Sequence, residues 1–125
     1  MIPTSVRIFV CTQPQDMRRS FDGLARAARE TLGVDPQSGA LICFVNKRNN
    51  RLKILWWDHN GYCLLYKRLH RAVFELPFGE TSRSTSKINR EQLATLIAGV
   101  ERQTARTTVR REIARKCLTP DRPRV

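Results

Sequence analysis

Apolar positions along the chain fall into short runs of two periods. Val6-Arg7-Ile8-Phe9-Val10 is β-branched and partly alternating, and it predicts a strand. Ser20 to Leu32 predicts a helix, because Phe21, Leu24, Ala25, Ala28 and Leu32 share one stripe at helical spacing. Ser20 or Asp16 suits its start, and Gly33 suits the position just past its end. After the turn cluster Asp35-Pro36-Gln37-Ser38-Gly39, the run Ala40-Leu41-Ile42-Cys43-Phe44-Val45 is apolar without a break. Such a run predicts a strand buried on both faces.

A polar, basic loop, Asn46-Lys47-Arg48-Asn49-Asn50, leads into strands over Arg51–Asp58 and Tyr62–Leu69. Asn60-Gly61 between them is a two-residue turn signal, since a type I′ turn needs positive φ at both central positions. Ala72 to Leu76 offers one more strand. Gly79 to Ser86 is polar and reads as a loop or linker. A second helix starts at Asn89, with Gln92 completing a capping pattern, and carries Leu93, Leu96 and Ile97 before Gly99. From Val100 to Leu118 the apolar content is thin, with Val109 and Ile113 spaced by four in a basic segment of helical spacing. The predicted class is α+β: a small antiparallel β-meander of four or five strands with two packed helices and a basic C-terminal tail. The organisation is one domain over residues 1–100 and a tail over residues 101–125.

Charge changes this picture most. Lys and Arg number 23 against 11 Asp and Glu, a formal net charge of +12. At 125 residues such an excess points to a polyanionic partner, with nucleic acid foremost. The first 80 residues hold 12 basic and 7 acidic side chains, and the last 45 hold 11 and 4, so the excess is denser toward the C-terminus. No apolar run approaches the roughly 18–20 residues of a membrane span, and the N-terminus lacks a secretory pattern. The four cysteines, Cys11, Cys43, Cys63 and Cys117, sit far apart without a CxxC pair. Free thiols in a reducing cytoplasm are therefore expected, with no zinc site and no cofactor.

The Arg51–Leu69 hairpin is the most informative stretch. With Asn60-Gly61 as the turn, Trp57 faces Leu64, Leu55 faces Tyr66 and Lys53 faces Arg68. One face then carries Lys53, Leu55, Trp57, Leu64, Tyr66 and Arg68, and the other carries Ile54, Trp56, Cys63, Leu65 and Lys67. The second face is the better core face. The first is an aromatic and basic surface able to stack bases and neutralise phosphates, unless a helix covers it as a second core layer. Lys47, Arg48, Arg51, Lys53, Lys67, Arg68 and Arg71 are the candidate phosphate contacts, and Trp57 or Tyr66 the candidate stacking residue.

Catalysis finds no support in the motifs. A two-metal nuclease needs several converging acids, and Asp16, Asp22 and Asp58 have no spacing that compels a cluster. Asp16 and Asp22 instead suit a positive helix N-terminus, and His59 suits a turn. There is no glycine-rich phosphate loop and no nucleophile motif.

Met17-Arg18 with Phe21-Asp22-Gly23-Leu24, then Lys53-Ile54-Leu55-Trp56-Trp57-Asp58, Gly61, and Tyr66-Lys67-Arg68-Leu69 followed by Phe74 and Pro77, resemble the TnpB accessory proteins of IS66-type insertion sequences. These are distinct from the RNA-guided nucleases that share the name. The resemblance spans about Ile2 to Val100, and His70 departs from it, standing where an acidic residue is expected. It implies a bacterial mobile element and a need for this protein in transposition, beside a larger transposase and another small accessory protein. It assigns no catalytic residue. The expected function is a non-catalytic accessory factor that binds DNA, at the element ends or as nonspecific duplex, through the hairpin surface. The rivals are a protein-docking adaptor for the transposase and a small metal-dependent nuclease.

Overall fold

The unbroken apolar run becomes β2 (Leu41–Val45), and all five of its residues are buried. A computed structural model of the chain describes residues 6–76 and 83–101. Side chains alternate along a strand, so β2 serves two cores. Leu41, Cys43 and Val45 join Phe74, Leu93 and Leu96 on one face, while Ile42 and Phe44 join Leu24, Ala28 and Leu32 on the other.

The strands around β2 follow from this. β1 (Ile8–Cys11) lies parallel to it, and β3 (Arg51–Asp58) antiparallel, followed by β4 (Gly61–Arg68). β5 (Ala72–Val73) lies outside the main sheet, and β6 (Thr85–Ile88) pairs antiparallel with β1. The main sheet therefore runs β4-β3-β2-β1-β6. The fold is α+β, as expected, but the sheet is mixed rather than wholly antiparallel. A parallel neighbour needs a crossover, and α1 (Phe21–Ala27), extended by a wider turn over Ala28–Leu32, supplies it between β1 and β2. β6 begins in the last two residues of the expected loop and runs on through Lys87 and Ile88. Its sequence, Thr-Ser-Lys-Ile, buries only Ile88, which is the polar make-up of an edge strand.

Sequence signals mark the start of α2 and the glycines that close both helical segments. α2 (Arg90–Ala98) has the full capping box: Asn89 Oδ1 accepts from the Gln92 N–H at 2.7 Å, and Gln92 Oε1 accepts from the Asn89 N–H at 2.9 Å. Ser20 makes no side-chain cap to α1, while Gly33, at φ 68°, closes the turn that follows it. Beyond α2 the chain forms β7 (Val100–Glu101), paired with β5, so the expected boundary after residue 100 falls within a strand. The rest of the expected basic helix lies outside the described residues.

The hairpin turn sits one residue earlier than expected. Asp58 pairs with Gly61, so His59 and Asn60 form the turn, and positive φ falls on His59 at 56°. The pairing shifts by two: Trp57 faces Tyr62, Leu55 faces Leu64, Lys53 faces Tyr66 and Arg51 faces Arg68. A shift of two preserves the face of every side chain. Both faces are covered along most of β3. Ile54 and Trp56 pack toward the α2 side, and Leu55, Tyr62 and Leu64 toward α1.

Two backbone positions carry opposite expectations. A Cβ on Gly99, which has φ 75°, would stand 2.6 Å from Leu69 Cδ1 and 3.2 Å from the Val73 carbonyl oxygen. Gly99→Ala should therefore cost about 2–3 kcal/mol in chemical denaturation, from left-handed strain plus overpacking. At His59 the strain is already present, and His59→Gly should raise stability by about 0.5–1 kcal/mol, the relief exceeding the added chain entropy.

Candidate nucleic-acid interface

The loop joining β2 to β3 is built by asparagines. Asn46 Oδ1 accepts from the N–H groups of Asn50 and Arg51 at 3.0 and 2.9 Å, and its Nδ2 donates to Asn50 Oδ1 at 2.8 Å. Asn49 takes φ 58°, a conformation asparagine tolerates better than most residues. The loop thus fixed leaves Lys47 and Arg48 exposed at its apex. The chain leaving β4 folds back across it: the Leu69 N–H donates to Asn50 O at 2.8 Å and the Phe74 N–H to Asn49 O at 2.6 Å. Arg71, on that returning segment, is exposed, as is Arg68. Five of the expected contacts, Lys47, Arg48, Arg51, Arg68 and Arg71, are thereby brought to one end of the sheet.

Arg51 and Arg68 stand directly opposite each other across β3 and β4. Like charges in that position are destabilising. The Arg51 guanidinium donates to the Tyr66 hydroxyl at 2.8 Å, which holds it in place without neutralising it. Tyr66 is 48% exposed and is the aromatic side chain beside these cations.

The other expected contacts sit elsewhere. Lys53 is inside the protein, only 6% exposed, and its ammonium donates to the Met17 and Arg19 carbonyls at 2.8 and 2.7 Å, with the Tyr66 ring centroid 4.8 Å away. Lys67 Nζ donates at 2.7 Å to the carbonyl of Ile97 in the last turn of α2, a group that lacks a partner within the helix. Trp57 is half-buried and meets Tyr62 edge-on, with centroids 4.9 Å apart and planes at 81°. It lies six residues up β3 from Arg51, about 20 Å at about 3.3 Å per residue. Of the expected aromatic and basic face, Leu55 and Leu64 pack with the α1 cluster and Lys53 is buried, while Tyr66 and Arg68 stay exposed.

Residues 6–107 match the family described as "IS66 Orf2 like protein". The chain belongs to this IS66 Orf2-like family. Two curated relatives from Sinorhizobium fredii are similar to it over most of their length. The uncharacterized protein y4hO is 35% identical over 103 residues, covering 81% of this chain and 88% of the relative. The uncharacterized protein y4jC is 33% identical over 96 residues, covering 77% and 80%. No solved structure matches the chain significantly. The family gives this IS66 Orf2-like protein an accessory role in an insertion sequence.

One part of the site was not picked out from sequence. The segment before α1 faces the β2–β3 loop across a shallow depression of about 370 Å³, lined by Asp16 and Arg18 on one side and Lys47, Arg48 and Arg51 on the other. Asp16 accepts from the Arg18 backbone N–H at 2.9 Å and from its guanidinium at 2.8 to 3.1 Å. Met17-Arg18 stood among the motif residues, but an isolated Asp-x-Arg triplet carries no signal of its own. The Arg18 side-chain hydrogen bond, more than its charge at a distance, lowers the Asp16 carboxyl from 3.8 to about 2.

The acids of the nuclease rival do not converge. Asp16 pairs with Arg18, and Asp58 lies at the hairpin turn. Among the described residues no three His, Cys, Asp or Glu side chains gather as a metal site would require. Cys11, Cys43 and Cys63 are free thiols; burial raises Cys11 and pushes Cys43 up to about 12, as suits small apolar core residues. Cys117 lies outside the described residues. Among the described residues no helix is long and apolar enough to cross a membrane.

The Asp16–Arg18 pair gives a pH expectation. Because the folded carboxyl is held below its ordinary value, the pair is intact above the ordinary carboxylate range and is lost as pH falls toward 2. In an NMR titration the Asp16 carboxyl carbon should show a midpoint near 2 in the native protein. In Arg18→Ala it should return toward 3.8. An unchanged midpoint in the variant would assign the shift to another cause.

Proposed function

We propose that this accessory protein binds duplex DNA through phosphate contacts made by the cationic end of its sheet, without catalysing a reaction itself. The observation that carries this reading is the held opposition of Arg51 and Arg68, flanked by exposed Lys47, Arg48 and Arg71. Folding alone would favour separating those two guanidinium groups. A polyanion laid across them converts the repulsion into attraction. The contact is to backbone rather than bases, since Trp57 is at the far end of β3 and Tyr66 is engaged by Arg51 and Lys53. The transposase and the element's other small accessory protein are its partners on the DNA, at the bacterial nucleoid.

A second reading is favoured by one feature. Among the described residues β4 has no strand on its outer side, and it exposes Leu65 and Tyr66. Docking on the transposase through this edge, without DNA contact, is the alternative.

Salt separates the two. Five phosphate contacts give a slope of log K against log salt of about −4.5, at about −0.9 per contact, before any share from the cations beyond residue 101. In anisotropy titrations with full-length protein, Arg48→Ala and Arg68→Ala should each flatten the slope by about one unit, equally on random and element-end duplexes. Lys67→Met should leave the slope unchanged, its ammonium being held at α2. A slope near zero, or one indifferent to Arg48 and Arg68, selects the docking alternative.

A further inference from the structure

Lys53 is the one buried charged side chain among the described residues. Burying an ammonium is unfavourable unless its donors find acceptors, and an apolar side chain of similar volume is the usual occupant of such a place. Lys53 finds two acceptors in the carbonyls of Met17 and Arg19, the residues on either side of Arg18. The anchor therefore fixes the backbone under Arg18 to the first part of β3. Above that anchor the Arg18 side chain is 92% exposed, yet it is oriented. Its Nε and one Nη2 hydrogen point at Asp16, engaging one edge of the guanidinium. Three of its five N–H donors lie outside that contact, including the end-on fork that fits a phosphate bidentately. Arg18 lines the depression opposite Lys47, Arg48 and Arg51.

We infer that Arg18 is a phosphate-binding residue completing a two-walled anion site across this depression, and that Lys53 is its positioning residue. The ligand class is a phosphodiester, held between the Arg18 fork and the cations of the β2–β3 loop. Lys53 never meets the ligand; it sets where Arg18 stands. Asp16 keeps the guanidinium presented edge-out, so less side-chain freedom is lost when phosphate arrives. This inference rests on the phosphate-binding reading of the same sheet end.

The test uses full-length protein and a random duplex, with affinity measured at 50 and 200 mM salt. One phosphate contact contributes about a 3.5-fold loss of affinity over that interval. Arg18→Ala should remove one such factor and weaken binding while leaving the melting temperature unchanged. Lys53→Met should reproduce the loss. A double-mutant cycle then distinguishes positioning from general damage: Lys53→Met should add nothing in the Arg18→Ala background but act in full in the Arg68→Ala background. Equal effects in both backgrounds would make Lys53 merely structural and overturn its assigned role. Binding and slope untouched by Arg18→Ala would overturn the two-walled site while leaving the hairpin reading intact, and this surface variant decides even if Lys53→Met fails to fold. Absence of any salt-dependent binding in the native protein would overturn both.

Discussion

The central strands of this sheet are covered on both sides, and that constraint organises the molecule. α1 covers one face and α2 with Phe74 the other, so the central strands must be apolar in both directions. Polar and cationic side chains are left with the strand ends, the loops and the edges. The concentration of arginines at the Arg51–Arg68 end is partly a consequence of this exclusion. It also explains why only the Tyr66 and Arg68 end of the hairpin's aromatic and basic face is exposed. The side carrying Leu55 and Leu64 is occupied by α1 and the segment before it.

The exceptions to the exclusion are lysines that close the structure. Lys53 joins the segment before α1 to β3, and Lys67 joins β4 to the end of α2. Each supplies a charged donor to carbonyls that regular structure leaves without partners. These two cations count toward the net charge of +12, yet their ammonium groups are engaged in holding the fold. Net charge therefore overstates the surface offered to a polyanion. The long aliphatic stem is what makes lysine suitable here, since it packs with the sheet while its tip reaches a loop.

Much of the fold was legible because local rules and tertiary demands agreed. β2 was readable as two-faced from its unbroken run, and α2 from Asn89, Gln92 and Gly99. The face assignments of the hairpin survived a misplaced turn, because the pairing moved by two residues and side-chain parity has a period of two. The turn falls one residue before Asn60-Gly61, the stronger local signal, and in the register adopted Trp57 packs edge-on against Tyr62. Other features had no local signature. Nothing in Val6 to Val10 shows that β1 runs parallel to β2, since that depends on the path of the crossover. β6 is an edge strand with one buried residue. Lys53 looks like any cation in a basic hairpin, and only the path of residues 12–20 over β3 makes it internal. That same path brings Arg18 to the site.

The make-up of the cationic end bears on what it is able to distinguish. Reading bases takes donors and acceptors aimed into a groove, or a free aromatic face beside the phosphate contacts. Here two of the three loop asparagines are occupied: Asn46 and Asn50 are bonded to each other, and Asn46 also to loop backbone, while Asn49 is exposed. Tyr66 has its hydroxyl on Arg51 and its ring beside the Lys53 ammonium. Most of the groups facing outward are guanidinium and ammonium, which see charge and spacing rather than sequence. On the proposed reading, recognition of element ends must then come from a partner or from the shape of the DNA, and this protein contributes affinity and register along the backbone. Such a division suits an accessory subunit: a sequence-tolerant phosphate clamp strengthens any complex it joins without competing with that complex's own choice of site.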